Sequence, residues 1–201
     1  MGPALITANT ISKNGLGNEE TGSLAAKIIA SKPVYLDTET TGLEKHDEIV
    51  EISILDSDGT ILFESYVRPV NPLTPAASRI HGITNAMVAN SPTWPALWPQ
   101  IRGILFSRPL AAYNAPFDLR MMQQSHARYK IPWRESFEWV DVMIFFSNYR
   151  GIWDPIRKSM KYFSLMDAGK HFNISLPNSH RASADALLTR AVLHCLAGVP
   201  Y

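Results

Sequence analysis

The sequence predicts an α/β fold, a central mixed β-sheet flanked by helices. Two observations carry this. Three β-rich runs follow one another between residues 33 and 68, the last two joined by a turn signal. After them, strand-like and helix-like runs alternate to the end of the chain. A meander followed by such alternation gives a mixed sheet with helices around it.

Residues 1–22 are rich in Asn, Gly, Ser and Thr and lack a clear period, so they read as a mobile extension. Gly15, Gly17 and Gly22 make no dinucleotide fingerprint, because no strand precedes them and their spacing is wrong. Ser23 to Ser31 reads as a short helix packed on the domain. Residues 1–31 are therefore an N-terminal extension and residues 32–201 the folded domain.

Pro33 to Asp37 (PVYLD) is a buried strand, and Glu48 to Asp56 (EIVEISILD) a second. Asp58-Gly59 signals a hairpin into a third, Thr60 to Arg68. Pro75 to Gly82 reads as a short helix. Ser91-Pro92 predicts a helix start, with Ser as N-cap and Pro in the first turn. The stripe Trp94, Leu97, Trp98, Ile101, Leu105 has helical spacing and reads as core. Pro109 to Asn114 is a fourth strand, followed by a helix over about 115–129, and Phe137 to Val142 a fifth. Helices are expected near 143–149, 164–172 and 182–196.

Composition narrows the function classes. The chain has 201 residues, 46% hydrophobic and 18% charged, an ordinary balance for one domain. The net charge of +1 does not by itself announce a nucleic-acid binder. Its distribution is uneven: residues 1–115 hold 8 Lys/Arg against 11 Asp/Glu, and residues 116–201 hold 11 against 7. An acidic half beside a basic half suits a metal site next to a phosphate-binding surface. Cys195 is the only cysteine, so no internal disulfide can form. No membrane-length apolar run or signal-peptide pattern is present, and Ile6 stands where myristoylation wants Ser or Thr. A soluble, cytoplasmic protein is the expectation.

The chemistry centres on Asp37-Thr38-Glu39-Thr40-Thr41-Gly42 at the end of the first strand. Residues i and i+2 of a strand share a face, so Asp37 and Glu39 point the same way. Two such close carboxylates repel, and a hard cation such as Mg²⁺ or Mn²⁺ resolves the conflict. Taken alone, the pair is equally compatible with a polar surface turn. Asp118 opens a predicted helix, where it either joins the site or complements the helix dipole. Asp185 shares the inward face of the last helix with Leu188 and Val192. A carboxylate there needs a partner, either a metal or Arg181. His180, at the entry to that helix, has the near-neutral pKa range of a general base.

Three segments, VYLDTETTGL (34–43), NAPFD (114–118) and HRASAD (180–185), resemble the three motifs of the DEDDh 3′→5′ exonucleases. That superfamily includes the DNA polymerase III proofreading subunit, ribonuclease T and the TREX-type enzymes. Ile80-His81-Gly82-Ile83-Thr84 resembles a further family feature, and the resemblance spans about residues 33–197. It implies a ribonuclease H-like fold with a five-stranded mixed sheet. It also implies a two-metal mechanism using Mg²⁺ or Mn²⁺, in which Asp37 bridges both ions, Glu39 and Asp185 complete one ion's site, Asp118 serves the second, and His180 takes the proton from water. Thr38, Thr40, Thr41, Gly42, Leu43, His81, Ile83, Asn114 and Phe117 are the implied substrate contacts. Leu43 and Ile83 also suit plain packing. Tyr113 departs from the family, where a His commonly precedes the Asn.

The resemblance implies nucleoside 5′-monophosphates released from a DNA 3′ end, single-stranded or frayed, in a DNA-repair setting. An RNA trimmer of the ribonuclease T type and a silent nucleic-acid-binding adaptor are the competing readings. Tyr149 to Tyr162 (YRGIWDPIRKSMKY) mixes cations and rings in the manner of a single-strand surface. Trp153 and Arg157 are its candidates, against a solvated loop with core aromatics. The chain ends 16 residues after Asp185, which favours a stand-alone enzyme over a tethered proofreader. The N-terminal extension offers a surface for a protein partner.

Overall fold

The computed structural model describes residues 5–6, 17–106, 108–176 and 180–201. A short strand β1 (Leu5–Ile6) precedes helix α1 (Asn18–Ala30). Three long strands follow, β2 (Val34–Thr40), β3 (Ile49–Leu55) and β4 (Ile61–Tyr66). Helices α2 (Pro75–His81), α3 (Asn85–Val88) and α4 (Trp94–Leu105) lead to β5 (Leu110–Ala112) and α5 (Ala115–Arg128). Then come β6 (Trp139–Asp141), α6 (Val142–Arg150), the small hairpin β7 (Trp153–Asp154) and β8 (Ser159–Met160), α7 (Leu165–His171) and α8 (Ala182–Leu196).

The main sheet has the order β1-β6-β5-β2-β3-β4. β1, β6, β5 and β2 run parallel, and β3 and β4 complete the antiparallel meander. The five expected strands are all present, and β1 adds a sixth at the edge. Much of the expected extension, residues 1–4 and 7–16, lies outside the described residues. Asn18 to Gly22, expected within it, instead open α1.

Side chains alternate between two cores, as strand geometry requires. Val34, Leu36, Ile52, Ile54, Leu110, Ala112 and Trp139 face α4 and α5. Tyr35, Leu55, Ala111 and Val140 face α1, α6, α7 and α8. The predicted stripe Trp94, Leu97, Trp98, Ile101, Leu105 packs in the first of these cores. Its helix begins later than Ser91-Pro92 suggested. The carbonyl of Pro92 accepts from the N–H of Arg68, and Thr93 bridges to Arg68 as a strand would. Thr93 is the N-cap and Pro95 supplies the first-turn proline.

Candidate active site

The two-residue period of β2 sorts the first motif between the two faces. Asp37 and Glu39 continue the face of Tyr35 towards α8, while Thr38 points to the α5 side. Asp185, in the first turn of α8, comes down on the first face. Ligand oxygens of Asp37, Glu39 and Asp185 lie within 4.8 Å of one another. On the other face, the Thr38 hydroxyl donates to Oδ1 of Asp118 at 2.7 Å. Asp118 is only 2% exposed. The first two motifs are thus joined by a buried hydrogen bond, and the first and third by converging carboxylates.

Burial makes these charges costly. Asp37 holds its proton well above the usual carboxylate range, first through desolvation and then through Asp118, Glu39, Asp185 and Glu51. Glu39 is pushed up to about 8 by desolvation and then by the charges of Asp185, Glu51 and Asp118, with Arg181 opposing. Desolvation raises Asp118 to about 7 against the Thr38 hydrogen bond. Hard oxygen donors, half-buried to buried and close together, fit a divalent ion such as Mg²⁺ or Mn²⁺.

His180 sits in the left-handed region at φ 48°, just before α8. Its side chain is 47% exposed, with Nδ1 4.0 Å from Oδ2 of Asp185. The guanidinium of Arg181 is directed at Glu51, where the sequence had left open an ion pair with Asp185.

Beside the carboxylates lies a cleft of about 370 Å³, walled by Thr38, Glu39, Thr40, Gly42, Leu43 and His81 among others. Ala76 and Ile80 of α2 and Phe117 of α5 supply apolar walls. Leu43 is 68% exposed at the rim. The loop carrying Leu43 is tied by Asp47, which accepts from the Thr41 hydroxyl and the Glu44 N–H, each at 2.6 Å. A Cβ on Gly42 would meet that carboxylate at 2.5 Å, so a larger residue would push Asp47 off the bonds that tie this loop. Arg120 and Gln124 of α5 donate to the carbonyls of Leu43, Glu44 and Asp47 from the other side.

Both ring nitrogens of His81 are committed. Nδ1 accepts from the Ile83 N–H at 3.1 Å, so the proton sits on Nε2, which donates to the Thr40 carbonyl at 3.2 Å. Burial lowers its pKa. His81 is a neutral strut in the cleft wall rather than a base.

Two expected substrate contacts face inward instead. Ile83 is 0% exposed and packs with Val50, Leu73 and Val88. A bulge between Glu39 and Thr40 leaves Val50 out of the β2–β3 register and free to join this cluster. Thr41 is buried and fully used inside its loop. Asn114 is outside the cleft wall. Its role is in the backbone, adopting φ 66° at the N-cap of α5 while its N–H donates to Asp141.

Sequence reading did not identify Glu51, Asp141, Asp47 and Ile80. Asp141 is buried, caps α6 through the Met143 N–H, and holds its proton up to about 6 through desolvation. It fixes the turn that aims Asp118. Ile80 opens the 80–84 segment that the sequence singles out, where only His81 and Ile83 are expected as contacts. Tyr113, the departure from the family pattern, donates its hydroxyl to the carbonyls of Phe163 and Ser164, pinning the start of α7.

The family model described as Exonuclease, that of the RNase T group, matches residues 34–193. This chain belongs to that family of DEDDh 3′→5′ exonucleases. This exonuclease is 34% identical to the uncharacterized exonuclease CP81 of Escherichia phage 186, over 86% of its own length and 92% of the relative's. It is 34% identical to exodeoxyribonuclease 10 of Escherichia coli strain K12, over 79% of its own length and 65% of the relative's. It spans less of the DNA polymerase III subunit epsilon of Pasteurella multocida, 40% of that protein at 33% identity.

Among solved structures it is similar to exonuclease X in complex with 5′ overhanging duplex DNA. The TM-score is 0.59 at 32% identity, covering 82% of this exonuclease and 90% of that chain. Cell-death related nuclease 4 shares the fold alone, with a TM-score of 0.67 at 18% identity over 84% of this exonuclease and 64% of that chain. The ribonuclease H-like sheet and its flanking helices therefore stand. No helix among the described residues is long and apolar enough to cross a membrane.

Proposed function

We propose that this exonuclease hydrolyses DNA from a 3′ end to nucleoside 5′-monophosphates, using two divalent metal ions and His180 as general base. The observation that carries it is the convergence of Asp37, Glu39 and Asp185 within 4.8 Å, with Asp118 bonded beside them through Thr38. Asp37, Glu39 and Asp185 would hold one ion, and Asp37 and Asp118 the other. When bound, such a pair of ions lowers the pKa of water and stabilises the attacking and leaving oxygens of an in-line displacement.

The chain's own residues do the remainder. His180, half-exposed beside Asp185, takes the proton from the attacking water. Leu43, Ile80 and Phe117 offer apolar surface to the terminal base, while His81 and the tied loop hold the wall rigid. The cleft suits one unpaired nucleotide, which supports action on single-stranded or frayed ends. DNA is favoured over RNA by the names of the similar proteins, an exodeoxyribonuclease and an exonuclease bound to duplex DNA.

A second cleft of about 500 Å³ collects Arg150, Lys161 and Lys170 around one carboxylate, Asp167, with Tyr162 and His171, and so keeps a net positive wall. It takes the phosphates of the single strand upstream of the end. Trp153 and Arg157 are outside its wall, where three cations face one carboxylate, so the cationic role is assigned to these three residues.

The test is a gel of 3′- and 5′-labelled single-stranded DNA, duplex DNA and RNA with Mg²⁺ or Mn²⁺. Shortening from the 3′ end of DNA is expected, lost in Asp37→Ala and Asp185→Ala. His180→Ala should slow turnover by about 10²–10⁴. Full activity in either Asp variant would remove the assignment, and faster loss of RNA would replace the substrate.

A further inference from the structure

Glu51 stands directly opposite Glu39 on β3, and Tyr66 directly opposite Glu51 on β4. Directly paired residues share a sheet face, so the three form a row pointing towards α8. Two carboxylates facing each other in this way repel. Glu51 is also 2% exposed, where a bare charge is costly.

Arg181 resolves this. Its Nε donates to both oxygens of Glu51 at 3.1 Å, and its Nη2 to Oε1 at 2.5 Å. Nη2 also donates to the Tyr66 hydroxyl at 2.9 Å. The second oxygen of Glu51 accepts from the N–H of Ala182 at 3.0 Å. Arg181 is the N-cap of α8 and has no side-chain capping bond of its own, so the Glu51 carboxylate satisfies this helix end from across the sheet. One turn on, the N–H of Asp185 donates to the Arg181 carbonyl at 3.0 Å. One residue back is His180.

We propose that Glu51 and Arg181 form a positioning clamp with two effects on the metal site. It docks the start of α8 so that Asp185 and His180 meet Asp37 and Glu39. It also commits the Arg181 cation to Glu51, so that it does not pair with the carboxylates that would hold a metal. This rests on the metal-dependent reading above. Neither residue is a ligand or a base in it.

The two effects separate by sign. Glu51→Gln keeps the shape and an acceptor for Ala182 but releases the Arg181 charge, which then competes with a cation. Arg181→Met removes that competitor and loosens the helix end. The double variant has neither charge. Mn²⁺ alone is the probe, with binding followed by calorimetry on the full chain at fixed pH and without DNA.

The expected result is a tenfold or greater loss of Mn²⁺ affinity in Glu51→Gln. Recovery to within threefold of native is expected in Glu51→Gln/Arg181→Met. The kcat should be reduced in both, with KM for a 3′-labelled strand little changed. A purely structural role predicts a double variant that binds Mn²⁺ no better than Glu51→Gln. That result, or native affinity in Glu51→Gln, overturns the clamp while leaving the metal reading intact. If Glu51→Gln does not fold, Arg181→Met decides alone: native kcat there, with the start of α8 untied, overturns the proposal. A native chain that binds no Mn²⁺ overturns the metal reading, and the clamp's role with it.

Discussion

The hydroxyl of Thr38 donates to Oδ1 of Asp118 across 80 residues of sequence, in a buried bond of 2.7 Å. This bond stabilises the charged form of Asp118 against the desolvation that pushes its pKa up to about 7. Thr38→Val keeps the shape and removes the bond. A hydrogen bond to a charged group contributes about 1.5–3 kcal/mol, and one pKa unit corresponds to about 1.4 kcal/mol. The acid limb of the kcat/KM profile should therefore move upward by about one to two pH units. Thr38→Ser, which retains the hydroxyl, should leave it in place. An unmoved limb in Thr38→Val would detach Asp118 from the rate.

The same buried charges link metal binding to stability. Glu39 is raised from 4.5 to about 8, and Asp118 from 3.8 to about 7, chiefly by desolvation. Between about pH 4 and 8 the metal-free folded protein keeps protons that the unfolded chain has released. Its stability is present in full below the unfolded values and is lost as pH rises through the folded ones. The melting temperature without metal should fall from pH 5 to pH 8. Mn²⁺ binds the deprotonated carboxylates and should raise it more at pH 8 than at pH 5. Thermal melts in chelator and in Mn²⁺ measure both. A metal-free melting temperature that rises over this range would contradict the linkage.

Much of this was legible in the sequence because it is local. Asp37 and Glu39 follow from the period of a strand, and Gly82 ends α2 in the left-handed conformation that a glycine cap provides. What was hidden depends on partners far along the chain. Glu51 reads as one polar position in EIVEISILD, and its partner Arg181 is 130 residues away. Ser91-Pro92 has sound helix-start chemistry, yet a bridge from Arg68 holds that stretch extended and Thr93 takes the cap. Ile83 shares its motif with His81, but the bulge at Val50 opens an apolar cluster that takes the side chain inward.

Leu43 and Ile83 should therefore behave as opposites. Ile83→Ala empties a buried site and should destabilise by about 2–5 kcal/mol, with KM unchanged at temperatures where the variant stays folded. Leu43 is 68% exposed, so Leu43→Ala should alter stability by no more than about 0.5 kcal/mol while raising KM for the DNA end. Urea melts and steady-state kinetics on both variants decide. A raised KM in Ile83→Ala with unchanged stability would return that residue to the substrate wall.

The basic cleft makes a prediction about salt. Arg150 lies 4.8 Å from the ring centroid of Phe163, and Lys161 5.5 Å from the same ring, so their charges are held over aromatic surface. Each phosphate contact on a single strand contributes about 0.7 to the slope of log K against log salt. Arg150→Ala, Lys161→Ala and Lys170→Ala together should reduce that slope by about 2. Trp153→Ala with Arg157→Ala should reduce it by no more than about 0.7, because Arg157 is the pair's one cation. Anisotropy of a labelled single strand in chelator, at several salt concentrations, gives the slope without degradation. Dinucleotide turnover should be untouched by the triple variant, since so short a substrate does not extend beyond the catalytic cleft. An unchanged slope would make the cleft a solvated surface and leave the strand's path elsewhere.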